Sequence, residues 1–169
     1  MDSTLESSKH QIRLTVKEDE PFLFEMLFQS LFIEEGQKPF SREVLSKPNI
    51  ARYVKDWGRA GDLGFIAEIT ESGKKIGATW CRLAVGEDRG FAYIDDETPE
   101  LGIAVLPEYR VKGIGTKLLE NLLTAARKKY PAISLSVSPN NPAIRLYKKF
   151  GFETVDVRNE YPVMRLIFN

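Results

Sequence analysis

Between Glu100 and Leu119 an apolar, strand-like run enters a turn with two glycines and leaves it directly as a helix. The strand is expected over Thr98–Leu106, the turn over Arg110–Gly115 and the helix over Thr116–Tyr130, with Leu118, Leu119, Leu122, Leu123 and Ala126 on one face. This order sets a helix N-terminus against the end of a strand and points to an α/β fold. Glycines let the backbone close around an anion with no Cβ in the way. Unpaired amides at the helix start then point at that anion, and the helix dipole favours negative charge there. A pyrophosphate suits such a turn, and Arg110 and Lys112 add positive charge beside it.

Two familiar nucleotide loops do not fit. The Walker pattern requires Gly-x-x-x-x-Gly-Lys-Ser/Thr, which this turn lacks. The dinucleotide fingerprint requires a third glycine at position 118, which is Leu118, and belongs after the first strand of a βαβ unit rather than late in a chain.

The remaining pattern supplies the other layers. Gln11–Val16 alternates as a first strand, Lys17–Pro21 reads as a helix start, and Phe22–Phe32 as a well-buried helix. Ser41–Gly58 is a weaker helical region broken by Pro48, with an amphipathic end at Ile50–Trp57. Phe65–Ile69 and Ile76–Leu83 form a hairpin around Glu71–Lys75, and Gly86–Asp96 is an acidic, glycine-containing connector. Ile133–Val137 is a strand and Asn141–Phe150 a short helix ending at Gly151. Glu153–Arg158 and Val163–Phe168 are two last strands, with Pro162 marking the break before the second. The fold class is α/β, with a mixed, mainly antiparallel central sheet flanked by helices. Residues 1–9 are expected to be a flexible segment and 10–169 a single domain.

Composition removes several function classes. Lys plus Arg and Asp plus Glu both number 24, so no basic excess points to nucleic acid. The single histidine, His10, leaves no Ser-His or Cys-His pair and no histidine-rich metal site. Cys81 lies in an apolar strand and reads as a buried small residue. No apolar run is long enough to span a membrane and no signal peptide is apparent, so the chain is expected to be cytoplasmic.

The turn, Arg110-x-x-Gly113-x-Gly115, resembles the signature of the GNAT family of N-acetyltransferases. A second stretch, Asn140-x-x-Ala143-x-x-Leu146-Tyr147-x-x-x-Gly151-Phe152, resembles that family's Asn-x-x-Ala-x-x-Leu-Tyr-x-x-x-Gly-Phe element at the spacing the family uses. The resemblance covers about residues 98–155 and implies a GNAT-like fold with acetyl-CoA as acyl donor. It implies that backbone groups of Ile103, Ala104 and Val105 meet the pantetheine arm. The amides of Val111, Lys112, Gly113, Ile114, Gly115 and Thr116 would bind the pyrophosphate. Arg110 occupies the family's Arg/Gln position, Asn140 that of a cofactor-contacting asparagine, and Tyr147 that of a tyrosine near the cofactor sulfur.

The chemistry fits these residue types. Acetyl transfer to an amine develops an oxyanion, which a strand amide such as that of Val105 can stabilise. The leaving thiolate takes a proton, which Tyr147 can give, unless Tyr147 is a packing residue. The incoming ammonium loses one, to Glu100 or through waters, unless Glu100 pairs with a neighbouring cation or faces solvent. Glu34, Glu35, Asp95, Asp96 and Glu97 could form an acidic rim drawing a cationic amine, and Tyr93, Trp57 and Tyr161 could line a pocket, with core packing favoured for Trp57. The resemblance implies a primary-amine acceptor, on a small molecule or on a peptide, since the motifs are also similar to those of ribosomal-protein N-terminal acetyltransferases. The alternative is a non-catalytic acyl-CoA-binding domain. A homodimer through the C-terminal strands is a further expectation.

Overall fold

A computed structural model describes residues 9–169, so all of the expected flexible segment but Lys9 lies outside the described residues. Seven strands form one sheet in the order β1-β2-β3-β4-β5-β7-β6. They are β1 (His10–Leu14), β2 (Leu63–Ile69), β3 (Lys75–Arg82), β4 (Glu100–Val105), β5 (Ala132–Ser136), β6 (Glu153–Arg158) and β7 (Tyr161–Ile167). All neighbours pair antiparallel except β4 and β5, which run parallel, so the sheet is mixed and mainly antiparallel as expected.

Four α-helices flank it: α1 (Glu20–Ser30), α2 (Pro48–Ala51), α3 (Ile114–Ala126) and α4 (Ala143–Lys149). On one face, Leu119, Leu122, Leu123 and Ala126 of α3 pack with Ile133, Leu135, Tyr147, Phe152 and Met164. On the other, Leu23, Met26 and Leu27 of α1 pack with Val54, Trp57, Trp80 and Ala104. Leu118, Leu119 and Leu122 are fully buried, and each contributes about 1.5–3 kcal/mol by leaving water. Cys81 is likewise buried, and burial pushes its thiol up to about 12.

Three local expectations are corrected. The weak helix over Ser41–Gly58 is a 3-10 turn at Arg42–Ser46 followed by one α-turn, because Pro48 opens a new helix rather than continuing the old one. α3 begins at Ile114, inside the turn, and stops at Ala126 rather than Tyr130. Pro162 lies within β7, opposite Val157; its carbonyl, which proline retains, accepts from the Val137 amide at 3.2 Å.

A buried ion cluster fastens the first strand. Asp19 accepts from Arg13 at 2.8 and 3.0 Å, from Lys75 at 2.7 Å and from the Val16 amide at 2.8 Å. Burial alone would raise the Asp19 pKa, but these donors outweigh it and hold the carboxyl well below the usual range.

Candidate active site

Among the described residues, the one parallel strand pair also has the fewest paired residues. β3 and β4 hold register over six residue pairs, whereas β4 and β5 meet only at Glu100 and Ser134 and then part. The Leu106 amide donates to the Ile76 carbonyl at 2.8 Å. Antiparallel alternation therefore turns the backbone groups of Gly102 and Ala104 towards β3 and those of Ile103 and Val105 into the opening. Of the three residues expected to meet a pantetheine arm, Ile103 turns both backbone groups there and Val105 its free amide, the Val105 carbonyl being taken by Arg110, whereas Ala104 faces β3.

The C-terminal end of β4 runs through a 3-10 turn (Pro107–Tyr109) into α3. Gly113 caps α3 in the left-handed conformation at φ 82°, with no side-chain cap and no acid in the first turn. The amides at the helix start are thus left for an outside acceptor. Val111 also has a left-handed φ, 63°, and its side chain is fully exposed. A β-branched residue is strained there, and such strain gathers at ligand-binding turns. Val111→Gly is expected to stabilise the fold by roughly 0.5–1 kcal/mol, relief of strain exceeding the added unfolded-state entropy; the urea midpoint checks this, and a fall would show the turn unstrained. Arg110 donates from Nε to the Val105 carbonyl at 2.9 Å and from Nη2 to Gln29 at 3.4 Å, so its charge lies over the end of β4.

Glu100 stands at the other end of β4, about 17 Å from Val105 at strand rise. Alternation puts its side chain on the face of Ala104 and Trp80, towards α1 and α2. It is 9% exposed. Its Oε2 accepts from the Ala92 amide at 3.1 Å. Gly90 packs so tightly against the carboxyl that a Cβ there would lie 2.6 Å from both Cδ and Oε2. Burial raises the Glu100 pKa, offset in part by the Ala92 amide, the Tyr53 hydroxyl, the Arg52 charge and the Gly90 amide. A carboxylate so placed is a stronger base than one in water.

Tyr147 lies on the opposite face, 8% exposed, edge-on to Phe152 with ring centroids 5.9 Å apart. Burial pushes its hydroxyl up to about 12, with no hydrogen-bond partner contributing. Asn140 donates from Nδ2 to Glu34 at 2.8 Å, and Ser138 donates to the other Glu34 oxygen at 2.6 Å. Glu34 therefore reaches from the loop after α1 to the loop after β5. Two more acids of the expected rim are engaged locally: Asp95 accepts from the Glu97 amide and Thr98, and Asp96 from Tyr93. Trp57 is core, and Tyr161 sits edge-on to Phe91.

The sequence reading missed the box around Glu100. The connector containing Gly90–Ala92 is clamped by Arg158, which donates to the Phe91 and Tyr93 carbonyls at 2.9 and 2.8 Å. From the other side Tyr53 accepts from the Phe91 amide at 2.9 Å. The segment carrying Tyr53 is held in turn by a buried ion pair: Arg82 donates to Asp62 at 2.9 and 2.7 Å and to the carbonyls of Arg52 and Lys55 at 3.0 and 2.6 Å. Asp62 also takes the amides of Gly58 and Arg59. The sequence signals were Gly90 in the connector and the Arg82 charge at the end of a mostly apolar strand.

Residues 25–152 match the model of the Acetyltransferase (GNAT) family. The chain is 34% identical over 113 residues to the Drosophila melanogaster protein named Probable N-acetyltransferase san, a match covering 65% of this chain and 57% of that one. It is 31% identical over 113 residues to N-alpha-acetyltransferase 50 of Danio rerio, covering 65% and 62%. The chain thus spans less than two thirds of the length of these curated relatives. Among solved structures, yncA of Salmonella typhimurium with its cofactor acetyl-CoA superposes with a TM-score of 0.66 at 22% identity, covering 96% of this chain and 95% of that one.

Proposed function

This chain belongs to the GNAT family of acetyltransferases, and from that premise we propose that it transfers an acetyl group from acetyl-CoA to a primary amine by direct attack in a ternary complex. The observation that carries the reading is the parting of β4 from β5 beside an uncapped helix start, with a desolvated carboxylate at the far end of the same strand. The residues fit acetyl-CoA: the amides of Val111–Thr116 and the charge of Arg110 suit a pyrophosphate, and the free backbone of Ile103 with the Val105 amide suits an amide-bearing arm. When bound, acetyl-CoA supplies the activated acetyl thioester.

In this mechanism Glu100 takes, through intervening waters, the proton that the acceptor ammonium must lose before its nitrogen can attack, since the length of β4 separates its carboxylate from the Val105 amide. The Val105 amide is free to donate to the acetyl oxygen as charge gathers there. Tyr147 returns a proton to the departing sulfur; its high pKa keeps it protonated until then. Asn140 must release Glu34 to reach the donor. The acceptor class is an amine on a peptide or a small molecule. A cytoplasmic location and a homodimer through the edge strand β6 belong to the same proposal.

A thiol-release assay over amines, amino acids and peptide N-termini tests the reading. Release with one acceptor class supports it; acetyl-CoA binding with no release on any acceptor turns the chain into a non-catalytic acyl-CoA-binding domain. Glu100→Gln is expected to lose turnover and regain part of it at higher pH, where more acceptor is already the free amine, and a loss flat with pH removes Glu100 as base. Tyr147→Phe is expected to lower turnover with acetyl-CoA affinity intact, and unchanged turnover removes it as acid.

A further inference from the structure

We propose that Tyr53 is a positioning residue for Glu100, its hydroxyl oriented by the Phe91 amide so that its proton is directed at the Glu100 carboxylate. The inference deepens the proposed function and rests on its assignment of Glu100 as the base.

The geometry runs through one oxygen. The Phe91 amide donates to the Tyr53 hydroxyl at 2.9 Å. The next amide, of Ala92, donates to Glu100 Oε2 at 3.1 Å. Adjacent amides of one connector address the phenol and the carboxylate in turn, and the two groups are near enough that each acts on the other's protonation, the Tyr53 hydroxyl favouring the charged carboxylate. A phenol that already accepts has its own O–H left to give, and the neighbouring acceptor is Glu100. The closeness of Gly90 stops the carboxylate from swinging into the connector.

Other groups facing this site do not replace Tyr53. Arg52, from the end of α2, pairs with Asp88 at 3.4 Å and with the Arg89 carbonyl. Arg82, opposite Glu100 in β3, has its guanidinium taken by Asp62 and two carbonyls. Ser134, its partner in β5, donates to the Ala92 carbonyl at 2.9 Å. Arg158, from β6, is spent on the connector carbonyls. The Tyr53 phenol is itself pushed up to about 12, by burial first and the Glu100 charge second, so it stays a donor across the working range.

The sign follows. A donor to the carboxylate stabilises its charged form, so removing it raises the Glu100 pKa. In protein labelled with carboxyl-13C glutamate, with the Glu100 resonance assigned by its loss in Glu100→Gln, Tyr53→Phe is expected to raise the titration midpoint by about one pH unit. The acid limb of kcat/KM should move up by the same amount, with the high-pH plateau retained and the Kd for acetyl-CoA unchanged. Tyr53→Phe also strips the Phe91 amide of its acceptor and could unfold the connector. Site-specific 3-fluorotyrosine at position 53 keeps that acceptor and makes the O–H a stronger donor, so the midpoint should fall instead. An unmoved midpoint in both variants, or a loss of rate equal at all pH, overturns the proposal. The NMR midpoint needs no turnover, so a protein that releases no thiol on any acceptor fails the acetyltransferase reading alone.

Discussion

Gly90→Ala is expected to cut turnover about a hundredfold while leaving acetyl-CoA affinity and the fold nearly untouched. The three heavy atoms nearest to an added methyl at Gly90 all belong to the Glu100 carboxyl group. They are the free end of a flexible side chain, so the carboxylate moves and the backbone stays. Gly90 is outside the left-handed region, so alanine meets no backbone strain there. Misplacing a base by about 1 Å can cost two orders of magnitude in rate, and nothing at the α3 turn is disturbed. Gly102 is the contrasting case. A Cβ there would lie 2.5 Å from Cζ2 of the buried Trp80 indole, a rigid ring with no room to yield, so Gly102→Ala should act on stability instead. Steady-state kinetics beside a cofactor titration separates the two. Full activity in Gly90→Ala would show that the position of Glu100 does not matter to the reaction.

Asp62→Ala is expected to destabilise the fold by about 3–5 kcal/mol, because it strands a buried charge. Arg82 and Asp62 are 5% and 4% exposed and meet through two parallel hydrogen bonds. Arg82 also lies over the Trp57 ring at 5.2 Å. Removing the carboxylate leaves the guanidinium with two carbonyls and frees the amides of Gly58 and Arg59. In a chain of this length the melting temperature should fall by roughly 10 °C. The loss should spread to the site, since the same pair ties down the carbonyls of Arg52 and Lys55 on either side of Tyr53. A thermal melt checks it, and a shift of a degree or two would mark the pair as a surface-like bridge.

The parts of this molecule legible in its sequence are those written in local spacing. The strand, glycine turn and helix between Glu100 and Ala126 occur in the expected order within a few residues of the expected bounds, because a period of two, a positive-φ glycine and an apolar helix face are each encoded within a few residues. Boundaries slipped where a residue serves two patterns. Ile114, inside the glycine turn, is also the first helical residue, and Pro162 can sit in a strand because the sheet needs only its carbonyl. Contacts between distant segments could not be read. Glu34 meets Ser138 and Asn140 across more than 100 residues, and Tyr53, Gly90, Ala92 and Glu100 converge from three separate elements. Sequence marks Glu100 as a carboxylate on a strand; only the packed fold shows it desolvated and boxed.

Calorimetric titration of the purified chain with acetyl-CoA is the decisive measurement, because every assigned role depends on the opening beside β4 and the turn at Val111–Thr116 accepting that molecule. Saturable binding of one acetyl-CoA per chain is the expected result. A titration with no heat beyond dilution, confirmed by an unchanged melting temperature at saturating acetyl-CoA, would contradict it.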